Sequence, residues 1–186
     1  MCKLLVLGAG QYGKVAKEIA ESMCAYDGIE FLDDNNPSAV GHLSEFENFT
    51  SEFEHAVVAI GNSELRLKLI EDLEAAGYTV PVLVHPTAYI SPSADIYEGS
   101  FIEPKAVIHT DVRIGEGCII SAGTIINHNA TVGDGCHLNC GTLVKARAVI
   151  KGMYKSDYGE ILDSNTTETI TLGYHAMHFS GLHAKN

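Results

Sequence analysis

The chain has 186 residues, 46% hydrophobic and 19% charged, a composition that fits one or two small folded domains and excludes a disordered chain. Its net charge of −12 argues against nucleic acid and anionic membranes as partners, because both require a positive surface. Neither a signal peptide nor a membrane span is read in the sequence. The five cysteines, an odd number, fit reduced thiols in a cytoplasmic protein.

Residues 3–7 read as a buried strand, followed by Gly8-Ala9-Gly10-Gln11-Tyr12-Gly13 and an amphipathic helix over about 14–23. A second strand holds Ile29, Phe31 and Leu32 and ends at Asp33-Asp34. A third spans 56–60, and Gly61-Asn62 leads into a helix over 63–76 that Gly77 stops. A short fourth strand is predicted over 80–83. The alternation of strand and helix predicts a small Rossmann-like parallel sheet over 1–83, near half the size of a full dinucleotide-binding domain.

From Val84 the period changes. An aliphatic residue returns at every sixth position: Val84, Ile90, Ile96, Ile102, Ile108, Ile114, Ile120, Ile126, Val132, Leu138, Val144 and Ile150. Two places before each stands a mostly small residue, such as Ala88, Ala106, Cys118, Thr124 or Cys136. Neither a helix nor an alternating strand repeats in this way; the hexad is the mark of a left-handed parallel β-helix, a three-faced prism with about eighteen residues per coil. Each aliphatic points inward and stacks on its equivalent about 4.8 Å away. The prism is predicted over 84–150. Residues 151–186 form a divergent tail, with 161–162 and 169–172 as two short strands, a hairpin being one arrangement, and with Met177 and Phe179 suited to capping an open coil end.

Three constellations carry chemistry. Gly8, Gly10 and Gly13 lie between a strand and a helix, with Asp33 and Asp34 about twenty residues on; this is a dinucleotide-type fingerprint in which backbone N–H groups approach a phosphate. The half-sized domain favours a nucleotide-sugar over NAD, and a tight turn with no ligand is the competing reading. Gly61, Asn62 and Arg66 follow the third strand, with Asn62 as a helix cap and Arg66 either a phosphate contact or an exposed arginine. Asn127-His128-Asn129 follows the inward Ile126, so the hexad puts His128 at a corner. There an imidazole, the side chain that ordinarily titrates nearest neutral pH, suits a general base, with a plain surface histidine as the alternative. Cys136, His137 and Cys140 lack a further pair at ligand spacing, so no metal site is expected.

Together these residues resemble the bacterial sugar acyltransferases of the sialic-acid O-acetyltransferase type, which include the UDP-4-amino-sugar N-acetyltransferases of the bacillosamine pathway. The likeness rests on Gly8 to Val15, Phe31 to Asp34, Ala59 to Asn62 with Arg66, Val84 to Ala88, Ile126 to Asn129 and Gly133 to Leu138. It implies a homotrimer transferring acetyl from acetyl-CoA to an amine or hydroxyl of a nucleotide-linked sugar in surface-glycan synthesis. His128 with Asn129 would be catalytic. His137, Ser121, Gly141 and Ala146 would line the acetyl-CoA groove, with backbone N–H groups near Gly141 facing the oxyanion. Gly8, Gly10, Gln11, Tyr12, Gly13, Asp33, Asp34, Gly61, Asn62 and Arg66 would bind the nucleotide-sugar.

The chain departs from the family pattern at several points. Tyr12 stands where a histidine is usual, Gln11 where a glycine is, and Ser121 where an asparagine is common. Asn129 replaces the carboxylate that normally follows the catalytic histidine, and the prism is shortened. A non-catalytic nucleotide- or sugar-binding trimer that has lost the CoA groove is the alternative expectation.

Overall fold

The computed structural model describes residues 2–164. The N-terminal sheet has three parallel strands in the order β2-β1-β3, with β1 at Lys3–Leu7, β2 at Gly28–Leu32 and β3 at His55–Val58. Strand alternation divides its core. Leu4 and Val6 face helix α1 (Gln11–Ser22) through Ala16, Ile19 and Ala20, whereas Leu5 and Leu7 face helix α2 (Ser63–Ala75) through Leu69, Ile70 and Leu73. A 3-10 segment, Leu43–Phe49, which the sequence reading left unassigned, covers the α2 side.

Helix α2 begins and ends for legible reasons. Asn62 Oδ1 accepts from Leu65 N at 2.9 Å as an N-cap. At the far end Gly77 takes φ +93° and Tyr78 N donates to Leu73 O, closing the helix with a left-handed glycine. The fourth sheet strand expected over 80–83 is absent: Thr79 forms only an isolated bridge to His55, and Leu83–Val84 pairs with Phe101–Ile102 instead. The chain has already left the sheet for the prism at that point.

The prism is a left-handed parallel β-helix of two-residue strands on three faces. The first face stacks Leu83–Val84, Phe101–Ile102, Ile119–Ile120 and His137–Leu138. The second stacks Tyr89–Ile90, Val107–Ile108, Ile125–Ile126, Leu143–Val144 and Ile161–Leu162. The third stacks Asp95–Ile96, Arg113–Ile114, Thr131–Val132 and Val149–Ile150. The second residue of each pair points inward, and these form one continuous apolar column with Ala106, Val112, Cys118, Ala130 and Cys136.

The prism continues beyond Ile150. Ile161–Leu162 pairs in parallel with Leu143–Val144, so it is a further rung of the second face. Ser156, 2% exposed, occupies the inward place above Leu138, where an aliphatic would keep the ladder visible. Its hydroxyl accepts from Asn139 N at 2.8 Å and lies 2.8 Å from Thr142 Oγ1. Residues 169–172, Met177 and Phe179 lie outside the described residues.

The two parts share a core. Tyr12 and Val15 of α1 lie against Leu83, Phe101 and Ile119, the outward residues of the first face, each of which is fully buried. On the other side of the sheet α2 sets Leu67 and Ile70 against Gly117, and Arg66 enters the prism corner nearby.

Candidate active site

The glycine loop is shaped first by its own packing. A Cβ on Gly13 would lie 2.1 Å from Gly8 O, and Gly8 itself takes φ +104° where a Cβ would lie 2.9 Å from Ala59 O, so both glycines let α1 follow β1 at close range. A Cβ on Gly10 meets nothing within 4 Å, which leaves that residue, at the open N-terminus of α1, as the point where a ligand can approach the backbone. Gln11 is exposed beside it.

The acidic pair divides its labour. Asp33 accepts from Ala9 N at 2.7 Å and Asn35 N at 2.8 Å, and these backbone donors hold its carboxyl below the usual range. It shapes the loop. Asp34 accepts from Leu43 N and faces His42 at 3.6 Å but stays half exposed.

Arg66 is a correction. The sequence offered it as a phosphate contact or an exposed arginine, yet it is fully buried. Nε donates to Gly117 O (2.7 Å), Nη1 to Ile60 O (2.7 Å) and Nη2 to Gly135 O (2.9 Å) and Ser63 Oγ (3.3 Å). Its donor fork joins the N-terminal domain to two successive prism turns, and no phosphate reaches it. Asn62 is the cap already described, and Gly61 is exposed at the end of the strand.

On the first prism face a polar cluster forms under α1. The Tyr12 ring meets Phe101 edge-on at 5.4 Å and tilts over His137 at 6.3 Å. Its hydroxyl is buried without a hydrogen-bond partner of good geometry, and burial followed by the Glu103 carboxylate raises its pKa well above that of a free phenol. His137 continues the outward column after Ile119. Burial, then Lys155 and Arg66, push its pKa down to about 4, so the ring is neutral at physiological pH. Its Nε2 lies 3.4 Å from Ser121 Oγ, and its Nδ1 is buried with no partner. Glu103, 8% exposed, accepts from Ala122 N at 3.0 Å, and burial raises its pKa.

The sequence reading missed Glu103. The available signal is a carboxylate one coil before Ser121, at a phase that reads as solvent-facing until Tyr12 covers it. Gly141 takes φ +74°, and its N–H donates to Ala122 O at 3.1 Å. That amide, expected near an oxyanion, is therefore spent inside the ladder.

His128 lies at the corner between the second and third faces. It is exposed, as is Asn129, and its Nδ1 lies 3.0 Å from Asn129 Oδ1. Ala146 stands one coil above it, also exposed. This corner is opposite the first face. Within one chain, then, His128 and the Tyr12–His137 cluster lie on opposite sides of the prism. The face bordering His128 carries outward Tyr89, Val107, Ile125, Leu143 and Ile161, an apolar column that the described residues leave largely open. No three His, Cys, Asp or Glu side chains converge as a metal set among the described residues. None of the described helices is long and apolar enough to cross a membrane.

Known proteins share this architecture. Residues 3–73 match the PglD N-terminal domain, and residues 93–128 and 111–146 match the bacterial transferase hexapeptide family of six repeats. A solved perosamine N-acetyltransferase from Caulobacter crescentus, a histidine-substituted form with CoA and GDP-perosamine, is 20% identical with a TM-score of 0.74, over 87% of this chain and 91% of that one. The acetyltransferase domain of PglB from Neisseria gonorrhoeae FA1090, with acetyl coenzyme A, is 29% identical with a TM-score of 0.56, over 84% and 88%. WeeI from Acinetobacter baumannii AYE is 21% identical with a TM-score of 0.65, over 87% and 88%. With a glycine loop and short parallel sheet set on a hexapeptide prism, the chain matches the bacterial sugar acyltransferases of the PglD type.

Proposed function

We propose that the protein transfers an acetyl group from acetyl-CoA to an amine of a nucleoside-diphosphate sugar, in cytoplasmic surface-glycan synthesis, at a site completed between copies of a homotrimer. The observation that carries this reading is the placement of His128: exposed, held through Nδ1, and bordering an apolar face open among the described residues. A heterologous ring of three copies would cover that face and set the His128 corner of one copy against the Tyr12–His137 side of the next. The similarity to N-acetyltransferases solved with CoA and GDP-perosamine supports the donor and the amine acceptor.

The chemistry balances with one base. His128 Nε2 accepts the proton of the acceptor nitrogen as that nitrogen attacks the thioester carbonyl. The C–N bond forms, the C–S bond breaks, and the proton passes from His128 to the departing thiolate. Neutral His137, half-buried with its Nε2 3.4 Å from Ser121 Oγ, is the hydrogen-bonding side chain suited to the thioester. Ser121, Gly141 and Ala146 complete the donor's wall. The open α1 N-terminus at Gly10, Gln11 and Asp34 suits the nucleotide-sugar.

The test is thiol release from acetyl-CoA in the presence of nucleoside-diphosphate amino-sugars. His128→Ala should lose about 10²- to 10⁴-fold in kcat, while calorimetry still registers the nucleotide-sugar. Nucleotide-sugar binding by the wild type with neither acetyl-CoA binding nor thiol release would replace this reading with a binding trimer that has lost the donor groove.

A further inference from the structure

The residue after His128 is an amide, which carries no charge to steady an imidazolium. The negative charge lies one coil away. Asn129 Oδ1 is 3.0 Å from His128 Nδ1, and Asn129 Nδ2 donates to Asp111 Oδ2 at 3.4 Å. Asp111 and Asn129 occupy the same corner position in successive coils, and both are left-handed, at φ 57° and 60°. Asparagine and aspartate tolerate that backbone better than other non-glycine residues. Two arginines flank this corner: Arg113 pairs with Asp95 at 3.8 Å, and Arg147 takes the same corner position one coil beyond Asn129, its N–H donating to His128 O at 3.1 Å. Asp111 N in turn donates to Ser93 Oγ at 3.1 Å, which fixes its backbone to the coil below.

We infer that Asp111 is a positioning residue for His128, acting through the Asn129 amide as a carboxylate–amide–imidazole relay. The inference rests on the reading of His128 as the base. The logic is directional. An ionised carboxylate only accepts, so Asp111 must face the NH2 end of Asn129. That orientation leaves the Asn129 carbonyl oxygen toward His128, and a carbonyl oxygen also only accepts. His128 must therefore carry its proton on Nδ1, and Nε2 keeps the lone pair a base requires. Aspartate at 129 would put two carboxylates in neighbouring coils of one corner, where like charges repel; asparagine passes on the orientation without that repulsion.

The experiment has two readouts. The first is the tautomer, read from long-range 1H–15N NMR of protein labelled at histidine, with His128→Ala identifying the signal. The wild type should show His128 protonated on Nδ1, and Asp111→Asn should shift the population toward Nε2–H. The second is kinetic. Asp111→Asn should lower kcat about tenfold, with KM for both substrates within about twofold, and move the acidic limb of the kcat–pH profile. The exchange variant Asp111→Asn/Asn129→Asp, which places the carboxylate directly on Nδ1, should recover most of the lost rate and the Nδ1–H tautomer. A wild-type His128 protonated on Nε2 overturns the relay with no variant needed. So does an exchange variant no better than Asp111→Asn alone. Retained activity in His128→Ala would instead sink the reading of His128 as base, whatever the tautomer.

Discussion

On the first outer face of the prism Leu83, Phe101 and Ile119 are fully buried, while on the second Tyr89, Ile125 and Ile161 stand 58%, 36% and 60% exposed. The two columns are built alike, from one outward apolar residue per coil. What differs is the cover. Helix α1 lies over the first column, and where that column ends the polar cluster of His137, Ser121 and Glu103 begins. The second column ends at no helix of its own chain among the described residues. Repetition therefore decides where apolar surface goes, but a separate element decides whether it is hidden, and the uncovered face is the one that borders His128.

The largest expected effect comes from spoiling the open face. Ile125→Lys puts a charge into each of the three proposed interfaces, where it would be desolvated without a partner. Light scattering should find monomer, circular dichroism should find the coil intact, and kcat should drop about 10²-fold or more because His128 no longer meets the neighbouring copy. A fully active monomer would break the comparison. On the covered face Phe101→Ala should cost about 3–5 kcal/mol in denaturant unfolding and leave the oligomeric state alone. Arg66→Met should cost about 3 kcal/mol, since it strands the Gly117, Gly135 and Ile60 carbonyls that the guanidinium now satisfies. Arg66→Lys should recover little, because a single ammonium cannot span the two turns and the strand end.

These residues also mark how far the sequence could be read. The inward ladder was legible because each coil repeats one demand, an aliphatic every sixth residue, and it placed His128 at a corner from phase alone. The ladder's end was not legible, because Ser156 meets the inward demand with hydrogen bonds to Asn139 and Thr142 instead of an apolar side chain. Arg66 misled because its partners lie 51 and 69 residues away on the prism, outside any local motif. The 2.7 Å bond from Ala9 N to Asp33 could not be read either, because a carboxylate after the second strand can serve a ligand, the loop or both. Glu103 and Asp111 were passed over for one reason: a charged corner residue gains meaning only from what stacks a coil away or packs over it.

The smallest effect sharpens the comparison at the other seam, where α2 meets the corner between the third and first faces. Here the chain covers itself at a cost. Glu116 is pushed up to about 7, first by burial and then by Glu74, Asp134, Glu98 and Glu71. An unfolded glutamate titrates near 4.3. Between those values the folded chain holds a proton that the unfolded chain has lost, so stability falls as pH rises through the window, and the penalty is complete above about 7. The side chain is only half buried, so solvent screening reduces the cost to about 1 kcal/mol. Glu116→Gln should therefore raise Tm by about 2–4 °C at pH 8 and by little at pH 4.5, where the wild-type carboxyl is already protonated. An equal gain at both pH values would assign the effect to packing and remove charge crowding from the account of this seam.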